Sequence, residues 1–158
     1  MRIVPNLWFD TEALAAAEFY CSVVPGSRVV RVSHYGEGAR RPAGEVLTVE
    51  FELAGRPFTA INGGPEFTFD EAVSFLIECA DQAELDRCWD ALTADGAEGP
   101  CGWCTDRYGL SWQVVPAGFG ERLAAASPEV VGRVQRLLET MTRLDVAALD
   151  TAFGPLSG

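Results

Sequence analysis

The sequence predicts an α+β fold in which a β-α-β-β-β unit occurs twice, each helix covering one face of a mixed sheet and leaving the other face open or curved around a cavity. Three observations carry this. The order strand, acidic residue, helix occurs around Asp10 and returns around Asp81, about seventy residues later, as one duplication and not a short solenoid period. Each helix is followed by β-hairpins. The stretch Glu45 to Leu53 alternates cleanly, with Leu47, Val49, Phe51 and Leu53 pointing one way and Val46, Thr48, Glu50 and Glu52 the other.

In chain order, Ile3 to Phe9 reads as the first strand. Asp10 opens a helix to about Val24, with Leu14, Ala17, Cys21 and Val24 on one face and Pro25-Gly26 as its stop. Ser27 to Tyr35 is a Val-rich strand, and Gly36 to Gly44 a polar loop. Ala54 to Pro57 turns the chain into Phe58 to Asn62, which Gly63-Gly64-Pro65 ends. The second unit runs through Ala72 to Ala80, a helix from Asp81 with Leu85, Cys88, Trp89 and Leu92 at core spacing, and strands at 97–104 and 110–115. Between those last two, Asp106-Arg107-Tyr108-Gly109 is a turn, because Asp bonds its own backbone and Gly tolerates positive φ. The boundaries are module one at about 1–65, module two at about 66–116 and a C-terminal helical segment at about 117–158, within one domain. In that last segment, Ser127-Pro128 starts a helix whose stripe is Val130, Val134, Leu137, Leu138 and Met141, and Asp145 starts another. Periodicity leaves two partners open for the stripe, the parent sheet or a second chain.

Composition narrows the function classes. The 158 residues carry a net charge of −11, and all twelve basic residues are arginines. Nucleic-acid binding rests on clustered positive charge, and Arg40-Arg41 is the one basic dipeptide. No apolar run reaches the roughly 18 residues that would span a bilayer, and no signal peptide is evident. A soluble cytoplasmic protein is expected. The five cysteines, an odd number, argue against a disulfide framework.

Several stretches together resemble the vicinal oxygen chelate superfamily (glyoxalases, bleomycin-resistance proteins, dioxygenases), in its PhnB-like, 3-demethylubiquinone methyltransferase-like branch. They are Pro5 to Asp10, Ala17 to Tyr20, Leu47 to Phe51, Ala60 to Pro65, Cys101 to Trp103 and Asp106 to Pro116. The resemblance implies paired β-α-β-β-β modules that form a cupped mixed sheet, usually in a homodimer. In metal-dependent members, it implies four His, Gln or Glu ligands on the outer strands. The matching positions here are Gln113, Ser74, Ala60 or Asn62, and Ile3 or Pro5, so a closed His/Glu quartet is absent and no metal is expected. The methyltransferase label implies S-adenosylmethionine, but Gly36-Glu37-Gly38 lacks a third glycine and is followed by a strand, so no cofactor is expected either.

The cavity candidates are polar or amphipathic residues of strands, namely Gln113, Asn62, Glu50, Ser74 and Trp103. Parity sets Gln113 opposite Trp112 and Glu50 opposite Val49 and Phe51, so the polar faces would line the cup. Cys101-x-x-Cys104 has dithiol spacing but enters a strand and turn instead of a helix N-terminus, which would lower a thiol pKa. His34, the one histidine, stands at a strand end. The expected function is metal-independent binding of a small molecule. The alternatives are a metal-dependent lyase, isomerase or dioxygenase, and a structural or regulatory dimer.

Overall fold

The structure, a computed structural model, describes residues 1–154. The chain forms two compact units, Met1–Thr68 and a second that starts at Phe69. In the first, β1 (Asn6–Phe9), α1 (Ala13–Val23), β2 (Arg28–His34), β3 (Val46–Leu53) and β4 (Arg56–Asn62) follow in order. The sheet order is β1-β4-β3-β2, with β1 and β4 parallel and the other pairs antiparallel. The second unit repeats this with β5 (Ser74–Cys79), α2 (Gln82–Thr93), β6 (Ala97–Glu98), β7 (Trp103–Thr105) and β8 (Ser111–Pro116). Its order is β5-β8-β7-β6, again with one parallel pair, β5 and β8. Three helices follow, α3 (Phe119–Ala125), α4 (Pro128–Leu138) and α5 (Val146–Phe153).

Each sheet is covered on one face by its own helix. α1 buries Ala13, Ala16, Ala17, Tyr20 and Val23. They meet Val49, Phe51, Leu53, Phe58 and Ala60, the inward set of the alternating strands. Tyr20 lies 6.3 Å from Phe51, which stacks on Phe58 at 5.4 Å. In the second unit Leu85, Cys88, Trp89 and Leu92 of α2 are buried, as are Cys79, Cys104, Trp112 and Val114 of the strands.

The first strand is shorter than its sequence predicts. It starts at Asn6, and Ile3 is 89% exposed. Asp10 does not cap α1, because Glu12 holds the N-cap position and makes no side-chain cap bond. Asp10 pairs with Arg41. The orphaned N–H of Ala13 donates to Asn62 Oδ1 at 2.8 Å. Asn62 Nδ2 donates to the Val46 carbonyl at 3.0 Å. α1 is therefore capped from the end of β4, across 49 residues of sequence. In the second unit the expected cap is present, with Glu84 N donating to Asp81 Oδ1 at 2.8 Å. The stretch 97–104 is two short strands, not one. Gly99 to Gly102 makes a corner between β6 and β7, where Cys101 and Gly102 have φ of 59° and 82°.

The C-terminal stripe packs within the chain at Val134, while Val130, Leu137, Leu138 and Met141 stay half-buried. Val134 of α4 and Leu149 and Ala152 of α5 are buried, and Arg133 Nε donates to the Ala152 carbonyl at 2.6 Å. Phe119 meets Phe153 edge-on at 5.8 Å, with the Arg122 guanidinium 4.2 Å above the Phe153 ring. Among the described residues no helix is long and apolar enough to cross a membrane.

Asn62 satisfies one buried donor and one buried acceptor, and leaving such groups unpaired costs about 1–3 kcal/mol. Asn62→Ala is expected to lower the unfolding free energy by about 2 kcal/mol in urea titrations. Asn62→Asp, which keeps the acceptor at the helix N-terminus, should recover part of that loss.

Candidate functional site

The open face of the second sheet gathers most of the candidate residues. Register pairs Ser74 with Ser111 and Leu76 with Gln113 across β5 and β8, and Trp103 with Gln113 and Thr105 with Ser111 across β7 and β8. Because strand side chains alternate, these residues share the face opposite Trp112, Val114 and Cys104. Gln113 Nε2 donates to Ser74 Oγ at 2.8 Å, which fixes the amide plane and turns its carbonyl end away from the serine. A cavity of about 490 Å³ opens at the β6 and β7 edge of this face. Glu71, Ala97, Pro100, Cys101, Trp103, Thr105 and Ser111 are among its lining residues.

Trp103 is set apart by its indole nitrogen. Trp8 Nε1 donates to the Gly64 carbonyl, Trp89 Nε1 to Glu98 Oε1 and Trp112 Nε1 to Asp106 Oδ2, at 2.8, 2.9 and 2.8 Å. The half-buried Trp103 meets no hydrogen-bond acceptor among the described residues. It is the one tryptophan of the four whose N–H remains for a ligand.

A buried carboxylate holds the hairpin that presents these groups. Asp106 is 3% exposed, and its Oδ1 accepts from Tyr108 N at 2.8 Å and Leu110 N at 3.2 Å. Its Oδ2 takes the Trp112 indole N–H. Arg107 pairs with Asp95 at 2.6 Å. The corner on the other side of β7 is held by the α4–α5 loop. Cys101 N donates to the Met141 carbonyl and Gly102 N to the Thr142 carbonyl, both at 2.7 Å.

The remaining candidates lie elsewhere. Glu50 is on the open face of the first sheet, paired with Arg31 of β2. Asn62 is on the helix-covered face with Ala60 and Phe58, where the orphaned start of α1 draws its amide inward. That placement corrects the expected cup-facing position. Gly63, in the same motif, makes room for a ring, since a Cβ there would sit 2.1 Å from the Trp8 indole. His34 is exposed at the end of β2, opposite Val46. Cys104 is 3% exposed with its side chain on the covered face, Cys101 and Cys104 both border the cavity, and both thiols are free. Burial pushes the Cys104 thiol up to about 12, with the Asp106 and Glu98 carboxylates adding to it. Sequence reasoning missed Glu71, Thr105 and Ser111. For the two hydroxyl residues the parity shared with Gln113 and Trp103 was a usable signal, while for Glu71, in the loop before β5, there was none.

The donor set can be tested against a divalent ion. The open-face positions of β1, β4, β5 and β8 hold Asn6, Trp8, Pro57, Thr59, Ile61, Ser74, Leu76, Glu78, Ser111, Gln113 and Val115. These offer neutral amides, hydroxyls, an indole and one carboxylate, that of Glu78, which accepts from Gly118 N at 3.2 Å; one carboxylate without an imidazole falls short of the ligand sets that hold such ions. Among the described residues no three His, Cys, Asp or Glu side chains cluster as a metal site. The residues present do not fit a divalent metal.

A helix-covered sheet of order β1-β4-β3-β2, made twice, defines the class of the glyoxalase and bleomycin-resistance fold, the vicinal oxygen chelate superfamily. Within it, residues 1–115 match the family described as 3-demethylubiquinone-9 3-methyltransferase, and the chain belongs to that PhnB-like family. Among solved structures, a putative 3-demethylubiquinone-9 3-methyltransferase, PhnB protein, from Bacillus cereus is 31% identical with a TM-score of 0.65. The match covers 73% of this chain and 99% of that one. A protein from Pseudomonas aeruginosa is 20% identical over 73% of this chain and 96% of its own, at a TM-score of 0.60. A variant of the fosfomycin resistance protein FosX from Listeria monocytogenes, complexed with Mn(II) and 1S,2S-dihydroxypropylphosphonic acid, is 14% identical. It covers 78% of this chain and 98% of its own, at a TM-score of 0.50. No curated protein matches the chain.

Two outcomes follow from the hairpin. Asp106→Ala leaves two backbone donors and an indole N–H without their acceptor, and urea titration should show a loss of at least about 3 kcal/mol. The second concerns pH. Below the ordinary thiol value of 9.0 both folded and unfolded chains keep the Cys104 proton. Between there and about 12 only the folded chain keeps it, so stability falls as pH rises through that window. Melting temperature should drop from about pH 9 upward, and Cys104→Ala should flatten the drop.

Proposed function

We propose that the protein binds a small planar molecule on the open face of its second module without a metal. Trp103 would stack on the ligand and donate its indole N–H, while Gln113, oriented by Ser74, would offer its amide oxygen to a ligand donor. The observation that carries this is the unengaged indole N–H of Trp103 at the wall of a cavity of about 490 Å³. A buried-edge aromatic with a few placed polar groups is the usual make-up of a small-molecule site. The lining includes no Arg or His and includes the Glu71 carboxylate, while the Glu98 carboxylate accepts from Trp89. A neutral or cationic aromatic therefore suits the cavity better than an anion. Glu50, on the other module and paired with Arg31, would contribute through its own sheet face.

Five free thiols suit a reducing compartment, which supports a cytoplasmic setting for this reading. We take the functional form to be a homodimer, as the superfamily resemblance implies.

The test is calorimetric titration with benzylamine, benzyl alcohol and benzoate, which share a ring and differ in charge. Benzylamine and benzyl alcohol should bind and benzoate should not. Trp103→Phe, which keeps the ring and removes the N–H, should weaken binding about fivefold to tenfold. Trp103→Ala should weaken it further. Tight stoichiometric metal in the purified protein, or binding that Trp103→Ala leaves unchanged, would overturn the reading.

A further inference from the structure

The family match ends at residue 115, yet the chain continues into three more helices. The loop between α4 and α5, residues 139–145, returns to the wall of the cavity. Its Met141 and Thr142 carbonyls accept the N–H groups of Cys101 and Gly102, and Leu144, 1% exposed, lies under Gly102. The fit at that point is tight. A Cβ on Gly102 would come within 2.9 Å of Leu144 Cγ and 3.0 Å of the Val114 carbonyl. The loop is tied to α2 as well. Gln82 Nε2 donates to the Leu144 carbonyl at 3.1 Å, and Val146 N donates to Gln82 Oε1 at 2.8 Å. Arg143 forms ion pairs with Asp86 at 3.2 Å and with Asp90.

What this loop grips is a strained residue. Cys101 has φ of 59°, the left-handed region that a side chain with a Cβ avoids. Such a conformation persists when its surroundings over-determine it. Around Cys101, the loop supplies the acceptors for its own N–H and for the next one. The same corner contributes Gly99, Pro100 and Cys101 to the cavity and leads directly into Trp103.

We propose that the 139–146 segment is a clasp that sets the shape of the ligand cavity, with Gln82 and Leu144 as positioning residues that act through the Cys101–Gly102 corner. The clasp lies outside the family-matched region, so it is an element by which this chain sets its own ligand preference. When the clasp is docked, the corner is held and Trp103 is presented. When it lifts, Cys101 relaxes toward negative φ and the wall moves. A ligand that needs the docked wall tightens the clasp by the same factor as the clasp tightens the ligand. This inference rests on the binding reading above only for its effect on ligand.

Amide hydrogen exchange reads the clasp directly, with or without a ligand. In Gln82→Ala the Cys101 and Gly102 amides should exchange about tenfold faster, while the β5–β8 and β3–β4 pairings keep their protection. In a Cys21→Ser background, N-ethylmaleimide should modify the Cys101 thiol faster by a similar factor. Arg143→Ala, altered on the outer side of the clasp, should do the same to a smaller degree and guards against a folding failure of the first variant. Cys101→Gly added to Gln82→Ala should return Gly102 exchange toward the parent value, because glycine holds a φ of 59° without strain. Benzylamine affinity should fall in Gln82→Ala and recover in that double variant. Unchanged exchange at Cys101 and Gly102 in both single variants, or an equal rise at every amide of β7 and β8, would overturn the clasp. Loss of the exchange effect sinks this proposal alone, whereas benzylamine binding that is indifferent to Trp103 sinks the binding reading and leaves the clasp standing.

Discussion

The buried carboxylate of Asp106 is the constraint on which the second module depends. A charge so deep is costly unless its lone pairs are met. Here two backbone N–H groups and the Trp112 indole meet them, at 2.8 to 3.2 Å. That arrangement closes the β7–β8 turn and places Trp112 in the helix-covered core. Since β8 alternates, a fixed Trp112 puts Gln113 on the open face, and β7 pairing then sets Trp103 beside it. The chemistry of the candidate site is thus a consequence of the same bonds that hold the hairpin.

The two modules solve one problem by different means. Each must satisfy the orphaned N–H groups at the start of a helix that covers its sheet. α2 does so locally, with Asp81 accepting from Glu84 N and the Glu84 carboxylate accepting from Ala80 N. α1 borrows Asn62 from the end of β4. This difference explains why two similar-looking acidic residues play unlike parts. Asp81 caps a helix, whereas Asp10 pairs with Arg41 and ties the loop that follows β2 to the end of β1. It also turns the Ala60 to Pro65 motif into a structural feature, with Asn62 as a cap and Gly63 and Gly64 yielding space and a carbonyl to Trp8.

The chain belongs to a family whose description names a methyltransferase, yet the family-matched region holds no glycine-rich nucleotide loop. The electrostatic character of the cavity comes from Glu71 and Glu98, with no Arg or His in its lining. On the proposed reading, an acidic chain with an aromatic wall would disfavour anions and favour rings that are neutral or positively charged. Outside the matched region, the loop between α4 and α5 bonds to this same wall through the N–H groups of Cys101 and Gly102.

Much of the architecture was legible because it rests on local physics. Alternation in 45–53 and 72–80, core spacing in Leu85 to Leu92, and the Asp106 to Gly109 turn each depend on a few neighbouring residues. The duplicated order, the α+β class and the open-face position of Gln113 and Ser74 followed from those patterns. What sequence did not decide were features made by long-range bonds. The inward turn of Asn62 depends on a helix 49 residues away. The helix stripe of α4 suited either a sheet or a second chain, and its Val134 packs with α5, a neighbour that periodicity did not name. The strain at Cys101 and the clasp that holds it join positions about forty residues apart, through backbone atoms that every residue type shares. Residue identity determines which faces are apolar and where turns fall; tertiary contacts alone decide which backbone groups find one another, because carbonyls and amides carry no sequence label.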